Sequence, residues 1–241
     1  MVKKKRLDIL AVDAGFFTHS RRARAEIMAG NVLVNGLVCD KPGTMVPVES
    51  EIALLPPENP YVGRGGLKIE GAARDLNFSF EGKVVLDAGA STGGFTDYAL
   101  RHGAAKVYAV DVGYGQLDWK LRQDPRVINM ERTNIRHLRR EDLGEIPDIA
   151  TVDLSFISLK KVIPVLVEIG IPEIVVLVKP QFEAARGKVE KGGVVRDPEV
   201  HQQVVNDIIE FGESLGLEHG GMARSRLKGP RGNLEFFLYF A

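Results

Sequence analysis

Charge of one sign is what this chain most lacks. Lys plus Arg and Asp plus Glu each number 32, for a formal net charge of zero. No global field therefore draws the chain to nucleic acid, and any such surface must come from local clustering. Cysteine is nearly absent. The lone Cys39 excludes an internal disulfide and a cysteine-built zinc site, and fits a reducing cytoplasm. Long hydrophobic runs are missing too. The most apolar stretch, Ile163 to Val178, is broken by Pro164, Glu168, Pro172 and Glu173, so no membrane span is expected. Behind the basic start Met1-Val2-Lys3-Lys4-Lys5-Arg6, Asp8 and Asp13 interrupt Leu7 to Phe17, which argues against a secretory signal. What is present is ordinary for a globular protein: 44% hydrophobic and 27% charged residues in a chain of 241, enough for one domain and a smaller companion.

The sequence divides at Pro56-Pro57-Glu58-Asn59-Pro60, which continues neither a helix nor a central strand. Before it, Leu7, Leu10, Ala11 and Ala14 share a helical face. Ser20 to Met28 reads as a second helix with Ser20 as N-cap and Gly30 as stop. Val32-Leu33-Val34 and Leu37-Val38 flank Asn35-Gly36, a strong hairpin signal, and Ile52 to Leu55 closes this part as a strand. Beyond the boundary, strands expected at 83–88, 106–112, 127–130, 148–153 and 174–179 alternate with helices at 66–76, 94–102, 116–122, 158–169 and 198–215. Leu234 to Phe240 reads as a final strand. Such alternation implies a doubly wound parallel sheet.

The run Val84-Val85-Leu86-Asp87-Ala88-Gly89-Ala90-Ser91-Thr92-Gly93-Gly94-Phe95 is an apolar strand ending in an acid and then in small residues. This is how a parallel strand delivers backbone amides under a cofactor. The glycines do not fit G-x-G-x-x-G, and Asp87 would repel a pyrophosphate. An acid there suits a cofactor with positive charge near that point, and S-adenosylmethionine carries a sulfonium and no phosphate. Asp111, ending the next strand, is spaced to bind ribose hydroxyls, which suits an adenosine of either cofactor. An NAD-dependent oxidoreductase on a similar fold is therefore the competing enzyme reading. Two more charges sit at strand ends, Asp153 and Lys179. Glu235 lies early in the last strand, and Lys68 follows the flexible Gly63-Arg64-Gly65-Gly66-Leu67. Two lysines and two acids would converge outside the carboxyl ends of the sheet.

Several segments in fixed order resemble the FtsJ-type ribose 2′-O-methyltransferases. They are Gly63 to Lys68, Asp87 to Asp97, Asp153-Leu154-Ser155-Phe156-Ile157-Ser158-Leu159, Val178-Lys179-Pro180-Gln181-Phe182-Glu183, and Gly229 to Glu235. Residues 5–55 resemble an S4 RNA-binding domain, and nearly the whole chain resembles the TlyA, or hemolysin A, family of ribosomal RNA methyltransferases. The resemblance implies an α/β protein: a Rossmann-like class I methyltransferase sheet at 63–241, a small α+β S4-like domain at 1–55, and a linker at 56–62. It implies a Lys-Asp-Lys-Glu catalytic tetrad at Lys68, Asp153, Lys179 and Glu235, with Lys179 acting on the attacking hydroxyl and Asp153 orienting it. S-adenosylmethionine would be held by Asp87, Gly89, Ser91, Thr92, Gly94, Phe95 and Asp111, with Thr133 and Asn134 near its adenine, and no metal is required. One departure is Arg226, where the family has proline.

The resemblance also gives meaning to a basic cluster. Over residues 1–30, seven Lys and Arg face Asp8, Asp13 and Glu26, a local net of +4 that suits phosphate contacts. Lys4, Arg6, Arg21, Arg22 and Arg24, with Arg64 beside the cleft, are the expected RNA contacts. The substrate implied is a cytidine in ribosomal RNA within the large subunit, the small, or both, and the short end at Ala241 leans to the large. A membrane-acting hemolysin without catalysis, as the family's older name suggests, is disfavoured by the absence of a long apolar or strongly amphipathic helix.

Overall fold

A computed structural model of the chain describes residues 3–55 and 59–241. Part of the proline-rich boundary, 56–58, lies outside the described residues. The amino-terminal part comprises β1 (Lys4–Arg6), α1 (Leu7–Asp13), α2 (Ser20–Met28), β2 (Val32–Val34), β3 (Leu37–Val38), β4 (Met45–Pro47) and β5 (Ile52–Leu54). Leu7, Leu10, Ala23, Ile27, Val32 and Val46 form its small core. β2 pairs antiparallel with β3 across Asn35-Gly36, both at positive φ, as that hairpin turn demands. Ser20 is not the N-cap. His19 holds that place with extended backbone, and no side chain caps the helix. The short strands β1 and β4 pair with each other; at three residues each they are too brief for an alternating pattern to reveal.

The second part contains α3 (Arg64–Leu76), β6 (Val84–Ala88), α4 (Gly94–Arg101), β7 (Lys106–Asp111), α5 (Trp119–Gln123), β8 (Val127–Glu131), β9 (Ile149–Val152), α6 (Ile163–Ile169), β10 (Glu173–Val178), α7 (Pro180–Glu183), α8 (Pro198–Ser214), β11 (His219–Arg224) and β12 (Phe236–Phe240). Seven strands form one sheet in the order β11-β12-β10-β9-β6-β7-β8. Five of them run parallel. β12 is antiparallel to both β10 and β11, so the expected doubly wound sheet is parallel over five strands and ends in two antiparallel ones at this edge. Side chains alternate between two buried faces. Leu86, Val110, Val152 and Val176 pack on one face with α6 and α8, while Val85, Val107, Ile149 and Val175 pack on the other with α3 and α4.

Helix boundaries differ from expectation where a cap or a proline intervenes. α5 begins at Trp119 because the Asp118 side chain accepts from Lys120 N. The segment 158–169 is split, with a 3-10 turn at Leu159–Lys161 and α6 starting one residue before Pro164. Glu235 lies just before β12, not in it.

Candidate active site

The chain reverses its strand order at β6, which lies between β9 and β7. A crevice at the carboxyl ends of the strands follows from that topology. The turn leaving β6 is built for close approach. Gly89 has φ +91°, and a Cβ there would lie 2.3 Å from the Asp153 carbonyl oxygen. Gly94 packs against α3, where a Cβ would lie 2.8 Å from Gly66 N. Gly93, in the left-handed region, precedes α4 with no side-chain cap, so the first amides of that helix remain available to a ligand. Gly89, Ser91, Thr92, Gly94 and Phe95 all line one cavity.

Lys68, Asp153, Lys179 and Glu235 line the same cavity. α3 carries Lys68, the ends of β9 and β10 carry Asp153 and Lys179, and the segment entering β12 carries Glu235. They meet as two ion pairs: Lys68 Nζ is 2.6 Å from Glu235 Oε2, and Lys179 Nζ is 2.5 Å from Asp153 Oδ1. Lys179 also donates to Ser155 Oγ at 3.1 Å. Glu235 is fully buried, and both lysines are less than a tenth exposed. Gly229 gives Glu235 its room, since a Cβ there would lie 2.0 Å from Oε1. Burial alone would push the Lys179 ammonium down, but Asp153 and Glu235 outweigh it and hold its pKa above the ordinary lysine value. Burial would likewise push Asp153 up; the charges of Lys179, Lys68 and Arg64 overcome it and hold the carboxyl below its usual range. The sequence left this balance open. In the structure the carboxylates facing Lys179 favour its ammonium form.

Other expected site residues fall elsewhere. Asp87 is not on the cavity wall: it is 1% exposed and accepts from Thr96 Oγ1 at 2.7 Å and Thr151 Oγ1 at 3.2 Å. A strand-end acid points to either face of the sheet, and this one points inward. Asp111 lies at the crevice edge, where its carboxylate accepts from Ser91 N at 2.8 Å and Gly113 N at 2.7 Å. Each oxygen keeps further acceptor capacity. Thr133 N donates to the Asp111 carbonyl at 2.9 Å, which brings that loop alongside. Asn134 caps the 3-10 turn after it.

The basic cluster is largely spent on internal pairs. Asp8 takes both Arg6 and Arg24, at 2.8 and 2.9 Å, and Arg22 pairs with Glu26 at 2.7 Å. Lys4 and Arg21 are exposed and have no ion-pair partner among the described residues. Arg64 lies inside the cavity wall and donates to the Lys228 carbonyl at 2.9 Å. The sequence reading missed Met28, Ala29, Gly30 and Asp40, by which the amino-terminal part contributes to that wall. No spacing signal could have found them, because they reach the cavity only through docking of the two parts. Arg226, at the expected proline, donates to Asp75 Oδ1 on α3 at 2.8 Å.

The crevice fits S-adenosylmethionine. Its glycine turn is open to close approach, and Asp111, beside that turn, can accept from ribose hydroxyls.

Comparison with known proteins gives two family matches: FtsJ-like methyltransferase over residues 61–241 and S4 domain over residues 5–52. The chain is 43% identical over 242 residues to the 16S/23S rRNA (cytidine-2′-O)-methyltransferase TlyA of Mycobacterium tuberculosis, covering 99% of this chain and 90% of that one. It is 40% identical over 239 residues to Hemolysin A of Brachyspira hyodysenteriae, covering 98% and 99%. A solved Streptococcus thermophilus structure described as a hemolysin superposes with a TM-score of 0.77 at 42% identity, over 100% of this chain and 89% of that one.

Proposed function

The chain belongs to the FtsJ-like methyltransferases with an amino-terminal S4 domain, and on that premise we propose that it methylates the ribose 2′-hydroxyl of a cytidine in ribosomal RNA. The observation that carries this reading is the convergence of Lys68, Asp153, Lys179 and Glu235 beside the glycine turn. The relative from M. tuberculosis is named for this reaction on 16S and 23S RNA. Neither alternative has such support. The glycine spacing and the family both argue against an NAD enzyme, and among the described residues no helix is long and apolar enough to cross a membrane.

S-adenosylmethionine, the cofactor of this family, supplies an electrophilic methyl group when bound. Gly89, Ser91, Thr92, Gly94 and Phe95 would hold it, with Asp111 on its ribose and the loop at Thr133 and Asn134 near its adenine. Lys179, whose ammonium form its neighbouring carboxylates favour, orients the target hydroxyl and stabilises the alkoxide character of its oxygen as the hydroxyl proton leaves to solvent and the oxygen takes the methyl group. Asp153 holds the Lys179 side chain in place, and Lys68 and Glu235 fix the opposite wall. Much of the acceleration comes from holding the hydroxyl in line with the methyl group. Asp87 supports the turn from beneath.

The test incubates the protein with labelled S-adenosylmethionine and separated ribosomal subunits, then maps the modified nucleotide. Label on one cytidine ribose is expected. Cofactor binding without incorporation into any RNA would overturn the reading.

A further inference from the structure

A groove of about 700 Å³ runs between α2 and α5, outside the catalytic cavity. Arg21 and Arg22 stand on one wall, and Arg101, Trp119, Lys120 and Arg122 on the other. Trp119 is the chain's single tryptophan, and it is 71% exposed. An indole left in water offers a large apolar face to a partner. The Asp118 cap, which bonds Lys120 N at 2.8 Å, holds the backbone that carries it.

Of the groove's three acids, Glu26 and Asp97 are paired with arginines, while Asp118 accepts from Lys120 N and has no ion pair among the described residues. Glu26 accepts from Arg22 at 2.7 Å and from Asn31 at 2.8 Å. Asp97 accepts from Arg101 at 2.8 Å and from Val62 N at 2.8 Å. Arg122 is bound by Glu131 and by the Leu117 carbonyl. Arg21 and Lys120 are exposed and carry no ion pair among the described residues. The groove thus presents a free cation on each wall and an exposed indole beside one of them. Backbone phosphates and a stacked base are the partners that match it. Met28, Ala29 and Thr92 line both this groove and the catalytic cavity, so the two spaces adjoin.

We propose that this groove carries a single-stranded segment of the RNA substrate as it leaves the catalytic cavity, with one base stacked on Trp119. The inference rests on the RNA methyltransferase reading and adds the path of the strand and its stacking residue. A duplex has its bases paired and cannot use the indole in this way.

The single tryptophan makes the test direct. The full-length protein is titrated with a single-stranded RNA oligonucleotide of mixed sequence, with the same RNA as a duplex, and with S-adenosylmethionine alone, following tryptophan fluorescence. The single strand should quench it, with an affinity that weakens as salt rises; the duplex and the cofactor should not. In methylation of ribosomal subunits, Trp119→Ala should raise the KM for RNA about tenfold, the scale of one lost base stack. Trp119→Phe should recover part of that, and the thermal midpoint should be unchanged. Arg21→Ala/Lys120→Ala should raise KM and flatten its salt dependence. Methylation that proceeds with silent fluorescence and an unchanged KM in Trp119→Ala would overturn the groove and leave the proposed function standing. Quenching without methylation of any RNA would do the reverse. A protein that sediments as a dimer, and as a monomer only after Trp119→Ala, with no change toward RNA, would assign the face to self-association and overturn the proposal.

Discussion

Lys179 enters the cavity as an ammonium because two carboxylates outweigh the cost of its burial. Replacing it with alanine should reduce methylation at least hundredfold in kcat while leaving S-adenosylmethionine affinity within about twofold, by calorimetric titration. Glu235 poses a different problem. It is fully buried and faces a lysine that is itself 8% exposed, so Glu235→Ala strands a positive charge and should cost about 3–5 kcal/mol in a urea unfolding curve. Lys68→Met/Glu235→Leu, which removes both charges, should cost clearly less. Asp87 makes its own prediction. Burial, only partly offset by the Thr96 and Thr151 hydroxyls, lifts its pKa from 3.8 to about 7. Between those values the folded protein holds a proton that the unfolded chain has released, so stability falls as pH rises through the window. Asp87→Asn cannot titrate and should flatten the thermal midpoint across it. At this scale the sequence is most legible where a charge ends an apolar strand. Asp153 and Lys179 announce themselves that way, but the hydroxyls of Thr96 and Thr151 that receive Asp87 in the interior come from other elements and are not marked by the pattern of its own strand.

The alternating elements follow from periodicity alone, and α3, α4 and α8 lie within two residues of expectation at either end. β11 does not. His219-Gly220-Gly221-Met222 places two glycines and a register shift in an edge strand whose pairing with β12 supplies its order, so no hydrophobic alternation marks it. The loop between these strands delivers Glu235, and Arg226 fastens it to α3. The Arg226 side chain lies over Gly71, where a Cβ would come within 2.9 Å of its Cδ, and its guanidinium reaches Asp75. α3 also bears Lys68, so this contact sets the spacing of the Lys68–Glu235 pair from outside the cavity. Arg226→Ala should lower kcat about tenfold with cofactor affinity unchanged. Asp75→Ala should do the same, and the double variant should be no worse than either, the mark of one shared interaction. Arg226→Lys should recover only part, since lysine lacks the planar fork.

Across the whole molecule, the amino-terminal part contributes a wall of the candidate catalytic cavity. Gly30 ends α2 in the left-handed region at φ +72°, and a Cβ there would lie 2.5 Å from Arg64 Cδ. Arg64 donates in turn to the Lys228 carbonyl, beside the glycine that makes room for Glu235. Docking of the two parts is thereby linked, through one side chain, to the catalytic loop. Gly30→Ala in the full chain should lose about 1 kcal/mol of stability from backbone strain and should also lower kcat, because Arg64 must move. Gly36 is the control. It sits at φ +73° in the hairpin turn, and a Cβ there would meet nothing within 4 Å, so Gly36→Ala carries the same strain without the collision. It should match the loss of stability in a urea unfolding curve while its methylation rate stays that of the parent protein. Equal rates in the two variants would mean that the domains dock without steering the site. A slower Gly30→Ala, restored toward the Arg64→Ala rate when the two changes are combined, would place the link at that one contact.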